Sequence, residues 1–270
     1  MVEITKKYKI GSRRFGLINW VGAWTLYKKE VLRFLIVWIQ TIFSPLISSL
    51  LFLLVLSLAI GADRGDVLGV PFITFLAPGL ISMQVIQQSF SHSSSSFMIG
   101  KIQGNIVDLL YAPLSATEVT ISVALAAVTR SIVIAIVSIL VFKLIIDIEI
   151  TNYLSLIVFT LLSSFILGNI GIIAGLWAEK FDHMATVTNF VIVPLSFLSG
   201  TFYSIERLPE VLQIISKANP FFYMIDGFRY SFIGKADGSI FIGLIYLSVL
   251  SFVSWFVTYL LYKKGYKIKS

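Results

Sequence analysis

Long runs without charged side chains constrain this chain more than any other feature. A helix needs about 20 apolar residues to cross a hydrocarbon core about 30 Å thick. Because unpaired backbone groups cannot face lipid, runs of this length predict membrane-spanning helices. One long run, 119–142, contains a single charged residue, Arg130. The five runs that contain no Asp, Glu, Lys or Arg are 34–60, 67–100, 153–178, 184–205 and 238–262.

Composition agrees with a chain embedded in a membrane. Of the 270 residues, 57% are hydrophobic and 13% are charged, and the mean hydropathy is +0.91. A water-soluble domain of this length would need far more polar surface. With no cysteine in the sequence, disulfides and thiolate sites are excluded. We expect residues 1–33 to form a cytoplasmic basic segment with an interfacial helix, not a cleaved signal peptide, and residues 34–270 to form a six-helix domain.

The distribution of positive charge predicts the orientation. Six spans put both termini on one side of the membrane, and 14 of the 21 Lys and Arg residues fall on that side. Six fall on the other side, and Arg130 lies within a span. The excess of Lys and Arg on cytoplasmic segments therefore predicts that both termini are cytoplasmic. The net charge of +7 then indicates attraction to anionic lipid head groups and argues against nucleic-acid binding.

The segment before the first span has an amphipathic pattern. Its apolar residues recur at helical spacing, and polar residues occupy the remaining face. This pattern predicts a helix that lies along the membrane surface. Anchoring in the lipid and docking of a partner protein both remain open for it. The apolar residues are Leu17, Trp20, Val21, Trp24, Tyr27 and Val31.

The loop 100–115 between the second and third spans is too polar to be buried in lipid and too apolar for a simple tether. We therefore expect a partner to pack on it. Ser115 and Glu118 have the spacing of a capping box, which predicts that the third span begins just after Pro113. Glu118 is interpreted as a cap, whereas solvation and partner contact both remain open for Asp108.

Two blocks of this sequence resemble the type-2 ABC transporter permeases. The first is the family's loop after the second span, with Asn105 standing where Thr is usual. The second begins at 194–202 and continues through Leu208-Pro209 and Asn219-Pro220 to Asp226 and Arg229. The residues that match the first block are Gly104, Asp108, Leu109, Leu110, Ala112, Pro113, Leu114 and Ser115.

The resemblance implies a membrane subunit of a bacterial exporter in the cytoplasmic (inner) membrane. Two permease copies would work with two nucleotide-binding ATPase subunits. Gly104, Asp108, Leu109 and Pro113 would then lie at the contact with the ATPase. ATP and Mg²⁺ would be bound by that partner, so no cofactor is expected on this chain, and the sequence contains no Gly-x₄-Gly-Lys-Ser/Thr phosphate loop.

Polar residues inside the predicted spans are candidates for a translocation path. Gln84 and Gln88 belong to a polar stripe on the second span, and Arg130 lies within the third. A charge at this depth is costly unless it is paired or reaches water. Contact with an anionic substrate and a structural bond to protein groups both remain open for Arg130. No metal site is expected, because the two histidines, His92 and His183, lack acids at ligand spacing.

The segment 205–234 predicts a helical hairpin that folds back over the outer end of the path. Asn219 and Pro220 are a good cap and first-turn pair for its second helix. Asp226 and Arg229 follow at i,i+3 spacing, which suggests either a pair that closes a gate or two solvated charges. The re-entrant hairpin lies between the fifth and sixth spans.

The predicted fold is thus all-α and integral to the membrane, and the predicted function is ATP-driven export by a permease with no enzymatic activity of its own. The alternative is an intramembrane lipid-modifying enzyme. That function needs acid and base groups at one membrane depth, whereas the candidates here are scattered over loops on opposite sides.

Overall fold

The computed structural model describes residues 18–59, 65–146 and 148–268, and helices make up most of them. Short π-helical segments at Ile39–Phe43 and Thr188–Ile192 precede α2 and α8, and a 3₁₀ turn spans Ile205–Arg207. The α-helices are α1 (Trp20–Ile36), α2 (Ser44–Ala59), α3 (Phe72–Ile102), α4 (Ile106–Tyr111), α5 (Ala116–Ile145), α6 (Tyr153–Trp177), α7 (Phe181–Val187), α8 (Val193–Leu198), α9 (Glu210–Ala218), α10 (Pro220–Ile233) and α11 (Ile240–Lys263).

Five helices in the described part of the chain are long and apolar enough to cross a membrane. They are Ile39–Ala59, Ala116–Ile145, Tyr153–Trp177, Phe181–Leu198 and Ile240–Lys263. The helix α3, which covers most of the predicted second span, is longer than any of these but more polar, since Gln and Ser recur along its second half. The count of six spans therefore stays a prediction.

Among the long helices of the described chain, α3 is the most buried, and it packs mainly against α5 and α6. Glycines on α6 permit the close approach. A Cβ on Gly171 would lie 2.5 Å from the Phe90 carbonyl oxygen, and one on Gly175 would lie 2.8 Å from the Ser94 carbonyl oxygen. A helix surrounded by protein tolerates polar side chains that a lipid-facing helix does not. This explains why α3 is both the most polar of the long helices and the most buried.

Each π-helical segment ends two residues before a proline. Pro45 follows Ile39–Phe43, and Pro194 follows Thr188–Ile192. A proline in a helix lacks the N–H that bonds the carbonyl four residues earlier, and its ring clashes with that carbonyl. A wide π turn relieves this conflict, which accounts for irregular geometry at both prolines.

Several local predictions are confirmed. Ser115 and Glu118 form the predicted capping box, and α5 begins at Ala116. Asn219 caps α10, with Pro220 in its first turn and Gly234 at its C-cap with φ of +71°. The predicted helices α1 and α9 are also present, whereas residues 1–17 of the predicted basic segment lie outside the described residues. The interfacial position of α1 and the re-entrant depth of the hairpin stay predictions.

Candidate functional site

The loop between α3 and α5 presents a small mixed surface. Asp108 and Pro113 are exposed, and Leu109 is half-buried. Gly104 is exposed in the left-handed region, with φ of +75°, a conformation that glycine adopts without strain. The helix α4 also leaves Val107, Leu110 and Tyr111 exposed beside the carboxylate of Asp108. The four predicted coupling residues therefore lie together on one exposed turn with an apolar neighbourhood.

Glu118 joins this loop to the amino-terminal helix. Its carboxylate is nearly buried and accepts N–H bonds from Asn19 and from Ser115, the latter at 2.6 Å. The Asn19 side chain donates to the Pro113 carbonyl oxygen at 2.9 Å. The sequence analysis found the cap but missed Asn19, because nothing local in the sequence pairs two residues 99 positions apart. The loop is thus hydrogen-bonded to the start of both α1 and α5.

A polar cavity of about 660 Å³ opens between α1, α2, α3 and α5. It brings together the predicted residues Gln84, Gln88 and Arg130. The Arg130 guanidinium donates from Nη2 to the Gln88 side-chain oxygen, and its Nε is buried with no hydrogen-bond partner among the described residues. Arg130 is 7% exposed. The structure therefore supplies one protein partner for this charge and leaves part of its donor capacity unused.

Arg33 lines the same cavity, and its site was not singled out from the sequence. It donates from Nε to the Glu30 carboxylate at 2.9 Å, from Nη1 to Ser95 at 3.1 Å, and from Nη2 to the His92 carbonyl oxygen at 2.8 Å. Glu30 is 3% exposed, and the His92 ring is packed against Phe34. The i,i+3 spacing of Glu30 and Arg33 was a usable signal, because such spacing places opposite charges on one helix face.

At the other end of the molecule, Asn219 holds the hairpin to α8. Its Oδ1 accepts the Phe221 N–H at 3.1 Å, which caps α10. Its Nδ2 donates to the Leu195 carbonyl oxygen at 3.0 Å and to the Ser199 hydroxyl at 2.7 Å. Asn219 and Pro220 therefore fix both the start of α10 and its attachment to the end of the preceding span.

Asp226 and Arg229 are both buried, but they bond to backbone groups of other segments and not to each other. Asp226 accepts the N–H groups of Asp237 and Gly238, each at 2.9 Å. Arg229 donates to the carbonyl oxygens of Gly200 at 2.6 Å and Thr201 at 3.3 Å. The two residues are therefore neither solvated nor bonded to each other. Asp226 binds the backbone at 237–238, and Arg229 binds the backbone at 200–201.

Two lysines brace the α4 end of the bundle. Lys101 donates to the carbonyl oxygen of Leu176 at 2.8 Å, near the end of α6. Lys267 bonds the Glu179 carboxylate at 2.8 Å, and this bond holds the pKa of Glu179 below its ordinary value while raising the pKa of Lys267. These contacts fasten the segment after α11 to the end of α6.

Comparison with known proteins identifies the family. A family model described as ABC-2 type transporter matches residues 22–233, a range that includes the α4 loop, the polar cavity and most of the hairpin. This chain belongs to the ABC-2 type transporter family. The predicted resemblance to type-2 ABC permeases is thereby confirmed, while the roles of individual site residues stay predictions. The family is one of membrane transport permeases, which are not enzymes in themselves.

Individual relatives extend the comparison. The chain is 32% identical over 220 residues to the inner membrane transport permease YadH of Escherichia coli K12, covering 82% of this chain and 86% of YadH. It is 23% identical over 251 residues to nodulation protein J of Neorhizobium galegae, covering 92% of this chain and 94% of that protein. The nodulation protein J of Rhizobium leguminosarum bv. viciae is 24% identical over 227 residues, covering 82% of this chain and 84% of that protein.

Proposed function

We propose that this protein is the membrane-spanning subunit of an ATP-driven exporter in a bacterial inner membrane, and that a separate ATPase subunit docks on α4. The observation that carries the proposal is the exposed turn formed by Gly104, Asp108, Leu109 and Pro113, which joins the two central helices α3 and α5. Val107, Leu110 and Tyr111 add apolar area to this turn. An exposed apolar patch with a charged residue beside it is typical of a surface that binds a protein partner. The family and the inner-membrane relative YadH support the same function.

The proposed topology has six spans with both termini in the cytoplasm, and α3 is the second span in chain order, in addition to the five helices given above. Its 31 residues have a helical length of about 46 Å, which exceeds the hydrocarbon thickness. Before the first span, α1 exposes Trp20, Val21 and Trp24 while it buries Leu26 and Phe34. An exposed aromatic face on a packed helix is typical of a helix at the membrane interface.

In the proposed mechanism, ATP binding to the partner displaces α4, and the Glu118 anchor carries this displacement to α1 and α5. The outer hairpin α9–α10 closes the far end of the path. On α9, Val211, Ile214 and Ile215 are exposed, an apolar surface that suits lipid or a second copy of the permease. The working unit would contain two permease copies, and the ATPase subunits would bind ATP and Mg²⁺.

Co-purification tests the docking. The full-length chain, expressed with its candidate ATPase, should retain that subunit through affinity purification. Asp108→Arg should reduce retention and uncouple ATP hydrolysis from transport, because the reversed charge meets the partner surface. Lys264→Glu is the matched control, since it reverses an exposed charge outside the loop. Equal retention and equal coupling by wild type and Asp108→Arg would remove α4 from the interface.

Cysteine labelling tests the topology, since the sequence has no native cysteine. Cysteines at Lys264 and Lys217, both exposed, should react with an impermeant maleimide from the inside and from the outside respectively. Ser216 is unsuitable because it is fully buried against Leu198. Reaction of both cysteines from one side would contradict the six-span arrangement.

A further inference from the structure

The cavity between α1, α2, α3 and α5 has the size and chemistry of a ligand site. Its volume of about 660 Å³ falls in the range of small-molecule pockets. Along α3 it extends from Met83 to Ile99, roughly 24 Å of helix. Amides and hydroxyls make up much of its wall, namely Gln40, Thr41, Ser44, Ser48, Gln84, Gln87, Gln88, Ser91 and Ser95.

The charge of the lining is one-sided. Two arginines, Arg33 and Arg130, line the cavity, and no carboxylate does so among the described residues. The Arg33 guanidinium donates hydrogen bonds to the Glu30 carboxylate, the Ser95 hydroxyl and the His92 carbonyl oxygen. Among the described residues Arg130 has no acidic partner, and its one hydrogen bond there is to Gln88. The cavity therefore carries an uncompensated positive charge in a buried position, where charge is costly unless it meets an opposite charge.

The unused polar atoms are of one kind. Among the described residues that line the cavity, the buried side-chain atoms without hydrogen-bond partners are Arg130 Nε and Gln87 Nε2, and both are donors. Buried donors without acceptors favour a ligand that brings acceptor oxygens. A phosphate or carboxylate supplies several such oxygens together with the missing negative charge.

An apolar groove adjoins the cavity at the end of α1, the π-helical segment Ile39–Phe43 and the start of α2. It has a volume of about 440 Å³ and shares Val37, Gln40 and Ser44 with the cavity wall. Most of its remaining wall is apolar, including Ile36, Trp38 and Phe43. A second apolar groove continues from Ile47 along α2 to Leu58. An apolar chain on the ligand could thus lie along α2 while its head group occupies the cavity.

We propose that this cavity binds the acidic head group of an amphiphile, with Arg130, Gln87 and Gln84 as head-group ligands and the α2 grooves as the track of its apolar chain. The proposal deepens the proposed function, because it names the substrate class that the exporter would accept from the membrane. Arg33, which bonds Glu30, belongs to the α1 side of the cavity wall.

Binding measurements on the full-length protein in uncharged detergent test this site. The probe is labelled dioctanoyl phosphatidic acid, and the comparison ligands are dioctanoyl phosphatidylcholine and inorganic phosphate. We expect saturable binding of phosphatidic acid and at least tenfold weaker binding of each comparison ligand. Loss of a charge-assisted hydrogen bond weakens binding by roughly tenfold or more, so Arg130→Gln should show a loss of that size.

Two further variants keep the result interpretable. Gln84→Leu alters the cavity wall without removing a side-chain hydrogen bond to another described residue, so it should fold and bind phosphatidic acid several-fold more weakly. Arg207→Gln, on the exposed 3₁₀ turn, is the matched control for loss of an arginine and should bind as wild type does. Equal binding by wild type, Arg130→Gln and Gln84→Leu would overturn the proposal.

The comparison ligands and cross-linking separate the other occupants. Tight binding of phosphatidylcholine would overturn the acidic head group, and tight binding of inorganic phosphate would overturn the amphiphile in favour of a free anion. Disulfide formation between two copies carrying Gln84→Cys would show that a second permease fills the cavity, which also overturns the proposal. The binding assay needs no ATPase, so its failure while the wild-type chain retains the ATPase rejects this site alone. Failure of the wild-type chain to retain the ATPase while phosphatidic acid still binds rejects the proposed function alone.

Discussion

Two buried arginines, Arg229 on α10 and Arg130 on α5, show how differently one side chain can be used in one membrane protein. Arg229 is 1% exposed, bonds two carbonyl oxygens, and has its guanidinium carbon 3.9 Å from the centre of the Phe75 ring. Arg130 is 7% exposed, bonds one glutamine and lines an open cavity. From the sequence only Arg130 was placed within a span, and Arg229 was assigned to the outer hairpin. Both side chains are buried in the structure, and their neighbours distinguish the structural arginine from the one that is available to a ligand.

The largest effect is expected for Arg229→Ala. It leaves the Gly200 and Thr201 carbonyl oxygens without their donor and removes the stacking on Phe75. Unsatisfied buried groups cost about 1–3 kcal/mol each, so we expect a loss of about 3 kcal/mol and a lower yield of folded protein. Thermal unfolding in detergent measures it, with Arg207→Ala as an exposed control. Unchanged stability would show that Arg229 is no more structural than Arg130 and would contradict the comparison of the two arginines.

Gly79→Ala tests the same anchor from the side of α3. A Cβ on Gly79 would lie 2.4 Å from the Thr201 carbonyl oxygen and 2.8 Å from Arg229 Nη2. Backbone must shift to accommodate it, and overpacking of this kind costs about 1–3 kcal/mol. Gly100→Ala is the control on the same helix, because its nearest contact is an ordinary 3.7 Å. A loss of stability for Gly100→Ala and none for Gly79→Ala would show that the close approach is absent.

Lysine substitutions sharpen the comparison further. Lysine keeps the charge but lacks the planar fork that bonds two acceptors while stacking on a ring. We therefore expect Arg229→Lys to lose about 1–2 kcal/mol and Arg130→Lys to lose less than half of that. Thermal unfolding of the two variants side by side measures the difference, and equal losses would contradict it.

The smallest effect on stability is expected for Arg130→Gln. Interhelical side-chain hydrogen bonds in membrane proteins contribute about 0.6 kcal/mol on average, and Arg130 gives up one such bond, to Gln88. The variant should unfold within about 1 kcal/mol of wild type yet lose transport. A loss of stability as large as that of Arg229→Ala, checked in the same assay, would make Arg130 a structural residue.

Local signals in the sequence predicted helix ends better than side-chain partners. The capping box at Ser115 and Glu118 and the Asn219 cap depend on residues within three positions, and both are confirmed. The partners of Asp226 and Arg229 are not local, because the loops at 200–201 and 237–238 reach them only after the bundle has packed. The i,i+3 spacing of the two residues suggested that they pair with each other, but each bonds backbone groups of another segment.

The polar stripe on α3 was predictable, and its surroundings were not. Gln84 and Gln88 stand at helical spacing, so their common face follows from the sequence. That Arg33 from α1 would join Arg130 at this face depends on the packing of α1 against α3 and α5. The burial of Glu30 and His92 follows from the same packing. The only sign of this cluster in the sequence is the i,i+3 spacing of Glu30 and Arg33.

The two π-helical segments have a consequence for how chains of this architecture change length. A π turn holds one residue more than an α turn, so it behaves as a single insertion inside a continuous helix. Deleting one residue from Ile39–Phe43 or Thr188–Ile192 would restore α geometry and leave the helix faces on both sides in their present directions, whereas a deletion in a regular α-helical part of a span would rotate one side by about 100° relative to the other. These two points would thus accept the loss of one residue while the directions of the helix faces and the packing of α3, α5 and α6 stay as they are.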